Sequence, residues 1–145
     1  MNESSRIRAA TPDDLDAATG LLSASGLPLA GLERTHLWLS ETDGKVTGVG
    51  GYERYGDLAL LRSLAVVPEG RGRGLGGALL QHLFGVLRAD GVTAAYGLTM
   101  TVPGWLLRLG FEEVGRDALP AAVSNSEQLR GACPASARVF AKRLL

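Results

Sequence analysis

The stretch Val66-Val67-Pro68-Glu69-Gly70-Arg71-Gly72-Arg73-Gly74-Leu75-Gly76-Gly77 constrains this chain more than any other. Before it, residues 58–67 form a strongly apolar run of strand length. After it, Leu75, Ala78, Leu79, Leu83, Val86 and Leu87 recur at helical spacing until Asp90-Gly91 closes the segment. A strand that feeds a helix through glycines lets backbone N–H groups converge on an anion without obstruction by Cβ atoms. The helix dipole adds about half a positive charge at that end, and Arg71 and Arg73 reinforce it. The junction is therefore a candidate anion site. The plainer alternative is a solvated Gly-Arg turn that merely starts a helix.

Two phosphate-binding patterns have to be separated from this loop. Gly72, Gly74 and Gly77 satisfy Gly-x-Gly-x-x-Gly, but a dinucleotide fold needs a tight strand-to-helix turn and an acid about 20 residues on for the ribose. Here residues 68–73 lengthen the turn, three predicted antiparallel strands precede it, and the next strand, ending near Thr101, carries no acid. A P-loop fails because no Lys-Ser or Lys-Thr follows the glycines.

The flanking pattern predicts the order of elements. Residues 6–10 are a short strand candidate, and Thr11-Pro12-Asp13-Asp14 supplies an N-cap, a Pro at the first helical position and acid in the first turn of a helix reaching about Ser25. Residues 26–31, with Pro28, read as loop or as a broken second helix. Strands are predicted over 36–42, 46–53 and 58–67, joined by turns at Asp43-Gly44 and Tyr55-Gly56-Asp57. Beyond the long helix, 92–100 reads as a strand, 102–109 as a short helix stopped by Gly110, and 111–116 and 137–144 as further strands. The result is a mixed α/β layer with hairpins early and one β-α-β crossover late.

Composition narrows the class. One core must serve all 145 residues, so 1–145 is expected to be a single domain, and 46% apolar residues suffice to fill it. Fifteen Lys plus Arg balance fifteen Asp plus Glu, which argues against a nucleic-acid partner although thirteen of the bases are Arg. A single cysteine, Cys133, excludes a disulfide framework within the chain, and with two histidines there are too few ligands for a structural zinc, so no metal is expected. No run approaches the roughly eighteen apolar residues of a membrane span, and residues 1–10 hold no apolar leader core. These features predict a cytoplasmic location.

Arg71-x-x-Gly74-x-Gly76, preceded by Leu64-Ala65-Val66-Val67-Pro68, resembles the acetyl-CoA signature of the GCN5-related N-acetyltransferases, the GNAT superfamily. Leu109-Gly110-Phe111 resembles that superfamily's second motif, and the resemblance extends over most of the chain. Leu60-Leu61-Arg62-Ser63-Leu64-Ala65-Val66, Leu98-Thr99-Met100-Thr101 and the tail from Leu119-Pro120-Ala121-Ala122-Val123 to Cys133-Pro134-Ala135-Ser136-Ala137 are similar to the acetyltransferases associated with bacterial arsenic-resistance operons, which share features with short N-acetylglutamate synthases. The resemblance implies a GNAT fold: a mixed, mostly antiparallel sheet of about six to seven strands flanked by about four helices. It also implies acetyl-CoA as co-substrate and a small-molecule amine as acceptor, with a homodimer left open.

Transfer from a thioester to an amine requires a held cofactor, a polarised carbonyl, a deprotonated amine and an acid for the leaving thiolate. The resemblance implies that the pantetheine arm lies along Leu64, Ala65 and Val66 like an added strand, and that Arg71, Gly72, Arg73, Gly74, Leu75 and Gly76 take the pyrophosphate. Glu53 is the candidate base, against the reading of a solvated strand-end carboxylate. Arg62 interrupts a strand otherwise fit for the core, where an unpaired charge is costly; its partner is either a protein carboxylate, with Glu53 nearest in sequence, or by preference the carboxylate of an amino-acid-like acceptor, held bidentately. The family's frequent acid is a Tyr at the position occupied here by Leu106, which leaves Thr99, Tyr96 and Thr101 as donors or an unassisted thiolate. Trp105 reads as packing, His36 and His82 as packed or surface imidazoles, and Cys133 lacks the surroundings of a reactive thiol. Three alternatives stay open: a cofactor-binding module without activity, a protein or peptide acetyltransferase, and, least favoured, a dinucleotide-dependent oxidoreductase.

Overall fold

A computed structural model of the chain describes residues 5–27, 29, 31–68, 74–99, 107–115, 117, 119–124 and 138–144. Among these residues, seven strands form one sheet: β1 (Ser5–Ala9), β2 (His36–Thr42), β3 (Lys45–Tyr55), β4 (Leu58–Val66), β5 (Ala94–Thr99), β6 (Glu112–Val114) and β7 (Arg138–Arg143). Their order is β1-β2-β3-β4-β5-β7-β6. Every adjacent pair is antiparallel except β4 with β5, which run parallel because α2 (Leu75–Ala89) carries the chain back between them. This is the predicted crossover. Seven strands and a mostly antiparallel sheet agree with the expected fold class.

The apolar stripe of α2 explains its place. Leu79, Leu83 and Leu87 are fully buried, each worth about 1.5–3 kcal/mol on withdrawal from water, and with Leu80 and Phe84 they pack on Tyr52 of β3, Ala59 and Leu61 of β4 and Ala95 of β5. On the opposite face α1 (Leu15–Ala24) lays Ala18 and Leu22 against Leu39, Val49 and Ala65. Alternation along β3 thus sends Tyr52 toward α2 and leaves Val49, Gly51 and Glu53 on the α1 side.

Three local expectations change. The helix predicted from Thr11-Pro12 begins as a 3-10 turn, Pro12–Asp14, before α1. The carboxylate of Asp14 turns back there to accept the Thr11 N–H at 2.7 Å and the Arg8 guanidinium at 2.8 and 2.9 Å, which holds its pKa well below the usual carboxylate range. Residues 26–31 form no second α-helix among the described residues; a 3-10 turn, Leu32–Arg34, leads into β2 instead. Where about four helices were expected, the described residues contain α1, α2, a one-turn helix Ala121–Ser124 and a helical pair at Leu107 and Arg108. None of the described helices is long and apolar enough to cross a membrane.

Candidate functional site: an opening between two parallel strands

Strands β4 and β5 begin as neighbours and then part. Their ladder runs from Leu58 opposite Ala94 to Leu61 opposite Gly97, and that is its last pair among the described residues. Yet β4 continues to Val66 along β3, and β5 continues through Leu98 and Thr99 along β7. Beyond Leu61, each strand is registered on its outer neighbour alone. The edge so opened carries backbone donors and acceptors that an extended, amide-bearing ligand can engage as an added strand.

A bulge in β4 marks the point of parting. Arg62 lies opposite Gly51 but Ala65 lies opposite Val49, so Ser63 and Leu64 together face Gly50. Ser63 takes up the extra residue in the left-handed region, at φ +62, which costs a residue with a Cβ about 1–2 kcal/mol. The insertion reverses the alternation: Leu61 and Leu64 both pack toward α2, while Ala65 joins the α1 side. Gly50 tolerates the crowding because it lacks a side chain; a Cβ there would stand 3.2 Å from Leu64 Cδ1 and 3.1 Å from Leu79 Cδ2.

The start of α2 abuts the end of this opened edge. A Cβ on Gly76 would lie 3.7 Å from Val66 Cγ2, and Gly74 caps the helix in the left-handed conformation at φ +76, with open space where its Cβ would project. The first intrahelical bond is donated by the Ala78 N–H to the Gly74 carbonyl at 2.9 Å. The amides of Leu75, Gly76 and Gly77 precede it and constitute the donor-rich helix terminus at which anions bind. The glycines thus leave room for an anionic group beside Gly74.

A buried polar cluster lies on the α1 side of the same strands. Glu53 is 2% exposed and Arg62 5%, and Arg62 Nη1 donates to Glu53 Oε2 at 2.7 Å. Arg62 Nε donates to Ser63 Oγ at 3.0 Å, and the Tyr55 hydroxyl donates to Glu53 Oε1. Burial, together with the hydrogen bond to the Glu53 carboxylate, pushes the Tyr55 phenol up to about 12. In register, Glu53 stands opposite Leu60, and Leu60 beside Tyr96. Tyr96, half-buried, therefore shares the face of Glu53.

The expected residues fall into three groups. Leu64, Ala65 and Val66 lie on the opened half of β4, Gly74, Leu75 and Gly76 start α2 beside its far end at Val66, and Glu53 and Arg62 pair in the buried cluster at its near end. Thr99 ends β5 opposite Arg138, across the gap from the bulged half of β4. Arg71, Gly72, Arg73, Thr101, Trp105, Leu106 and Cys133 lie outside the described residues. Arg62 requires a correction: the fork intended for an acceptor carboxylate is engaged by Glu53 and Ser63, and its side chain is 0% exposed. A guanidinium this dry needs a permanent counter-charge, which β3 supplies. His36 stacks on Tyr52 and His82 packs against Trp38, both away from the cluster. Phe111 of Leu109-Gly110-Phe111 meets Phe84 of α2 in the core. Two contributors were missed. Tyr55 was read only as a turn residue, although a Tyr two positions from Glu53 on one strand shares its face. Ser63 carried no signal, since a bulge is invisible in an apolar run.

Comparison with known proteins gives this geometry a family. The profile of the acetyltransferase (GNAT) domain matches residues 33–113, more than half of the chain. "Uncharacterized N-acetyltransferase CT2212" of Chlorobaculum tepidum is 36% identical over 63 residues, 43% of this chain and 40% of that protein. Among solved structures, N-acetylglutamate synthase from Neisseria gonorrhoeae, complexed with coenzyme A and N-acetyl-glutamate, superposes with a TM-score of 0.83 at 22% identity, over 100% of this chain and 36% of that one. The ribosomal-protein-S18-alanine N-acetyltransferase from Escherichia coli has a TM-score of 0.71 at 22% identity, covering 97% and 94% of the two chains. The chain therefore spans less than half the length of the Chlorobaculum relative and of the synthase. The fold, the strand opening beside a glycine-capped helix and the matched profile agree: the chain belongs to the GNAT acetyltransferase family.

Proposed function

We propose that residues 1–145 act as one N-acetyltransferase domain, an enzyme that moves the acetyl group of acetyl-CoA by direct attack onto the amine of a small acceptor. The observation that carries this reading is the end of the β4–β5 ladder at Leu61 and Gly97, next to the amide-rich start of α2. An extended arm ending in a thioester fits along Leu64, Ala65 and Val66, with its pyrophosphate at Arg71, Gly72, Arg73, Gly74, Leu75 and Gly76. Acetyl-CoA supplies the activated acyl group. The amides along 64–66 orient the thioester and polarise its carbonyl.

Glu53 takes the proton of the attacking amine. Its carboxylate already accepts from Arg62 and Tyr55, but each oxygen retains a second lone pair, so the proton arrives through the Tyr55 hydroxyl or a water. Thr99 or Tyr96 protonates the departing thiolate, or none is needed, since a thiol with a pKa of about 8.5 leaves readily. With Arg62 committed to Glu53, a carboxylate on the acceptor needs another cation. The likeness to a synthase complexed with N-acetyl-glutamate supports an acceptor of that kind. Acidic amino acids and their arsenic- or phosphorus-bearing mimics are therefore the first acceptors to try, in a cytoplasmic setting.

The test is thiol release from acetyl-CoA across a panel of amino acids and amines. Turnover is expected with at least one small amine. Binding of acetyl-CoA with no turnover on the panel would favour a cofactor-binding module, and turnover with peptides alone would favour a protein acceptor. Glu53→Gln should lower kcat by more than it weakens acetyl-CoA affinity, and the kcat deficit should shrink as rising pH frees the amine. A deficit equal at every pH assigns Glu53 to structure.

A further inference from the structure

Ser63 holds a backbone conformation that its own side chain disfavours, and nothing in its sequence neighbourhood asks for it. Its hydroxyl accepts from Arg62 Nε at 3.0 Å, and the other end of the same guanidinium donates to Glu53 Oε2 at 2.7 Å. Tyr55 fixes the second oxygen of that carboxylate. One buried chain of hydrogen bonds thus runs from β3 into the bulge of β4. The bulge begins at Ser63, two residues past Leu61, the last residue of β4 registered on β5.

We propose that Arg62 is a positioning residue: anchored on Glu53, it locks Ser63 left-handed and so keeps β4 parted from β5 before any ligand arrives. Removing the lock lets Ser63 relax toward an ordinary extended conformation. The alternation of 64–66 then changes, and the amides of this half-strand no longer face the opening. What fills the opening rests on the function proposed above; the lock itself is a property of the free protein. The guanidinium therefore acts on the reaction through the backbone of 64–66, without touching an acceptor.

The experiment uses the full chain. Glu53→Gln with Arg62→Gln removes both charges together and leaves no orphan ion. Relative to wild type it should weaken acetyl-CoA binding about five- to thirtyfold, the factor that one to two kcal/mol of left-handed strain represents. It should also return the infrared carbonyl band of bound, carbonyl-labelled acetyl-CoA toward its position in water. Adding Ser63→Gly should recover part of both effects, because glycine adopts positive φ without a steric penalty. A merely structural ion pair gains nothing from that glycine. Wild-type affinity and carbonyl band in the double variant, or no recovery with Ser63→Gly, would overturn the proposal. If the double variant does not fold, Ser63→Ala and Ser63→Gly are compared instead: alanine keeps the strain but loses the hydroxyl, so it should bind more weakly than glycine, and equal binding refutes the lock. If wild type binds no acetyl-CoA, the functional reading fails by itself. Hydrogen exchange of the amides at 62–66 then decides the lock: faster exchange in the double variant, slowed again by Ser63→Gly, supports it, and unchanged exchange rejects it.

Discussion

The two halves of β4 are built on opposite principles. Residues 58–61 are apolar, alternate regularly and are registered on both β3 and β5. Residues 62–66 open with a buried arginine and a left-handed serine, and only β3 registers them. The first half derives its stability from burial and two ladders. The second gives up one ladder and accepts backbone strain, and in return it presents an unzipped edge beside the start of α2. Its rigidity has to come from side chains instead, which is why a buried ion pair sits there.

The largest test of that contrast is Arg62→Met, which leaves Glu53 as an uncompensated buried charge. It should cost about 3–5 kcal/mol in urea unfolding, and coupling it with Glu53→Gln should restore most of the loss. A cost below about 1 kcal/mol, the range of exposed pairs, would erase the distinction between the halves. In the first half, Leu60→Ala removes a side chain with 0% exposure and should cost about 2–5 kcal/mol. The acetyl-CoA affinity of its folded fraction should nevertheless match wild type, because the zipped half contributes stability and no ligand contact.

Gly74→Asp probes the helix start next to the open half. The left-handed cap should cost about 1–2 kcal/mol for any residue with a Cβ, and the added carboxylate should repel the pyrophosphate, so calorimetry should show acetyl-CoA binding abolished. Gly74→Ala carries the strain without the charge and should bind more weakly than wild type but measurably. Undiminished affinity in a folded Gly74→Asp variant would remove the cofactor from this site.

The smallest effect concerns Tyr55. Its phenol is pushed up to about 12 in the fold, against about 10 in an unfolded chain. The fold therefore favours the neutral phenol: the stabilisation is fully present below about pH 10 and is lost as pH rises through about 12. Phenolate absorbance should show a late-titrating tyrosine that Tyr55→Phe removes. A Tyr55 that titrates at the ordinary value would mean that Glu53 is gripped from one side only.

Much of the arrangement was legible because it is local. The order of strands and helices, the crossover and the Gly-rich junction all follow from periodicity and turn residues within short windows. Arg62 could be singled out as a charge in an apolar strand and Glu53 through the family resemblance, but which partner Arg62 would take could not be settled, since both alternatives satisfied the same desolvation argument. The start of α1 illustrates the same limit: Thr11-Pro12 signalled a helix, whereas Arg8, brought over by β1, helped draw Asp14 into a 3-10 turn first.

By itself, then, the sequence determined that this chain builds a layered α/β sheet with a glycine-lined helix start, because hydrophobic period and glycine placement act over a few residues at a time. Only the tertiary structure decided that Arg62 belongs to Glu53, that Ser63 turns left-handed and that β4 leaves β5 after Leu61. Each of these depends on the register of strands distant in sequence. An extra residue in a ladder changes which face every later side chain occupies while leaving the apolar pattern of the strand unchanged.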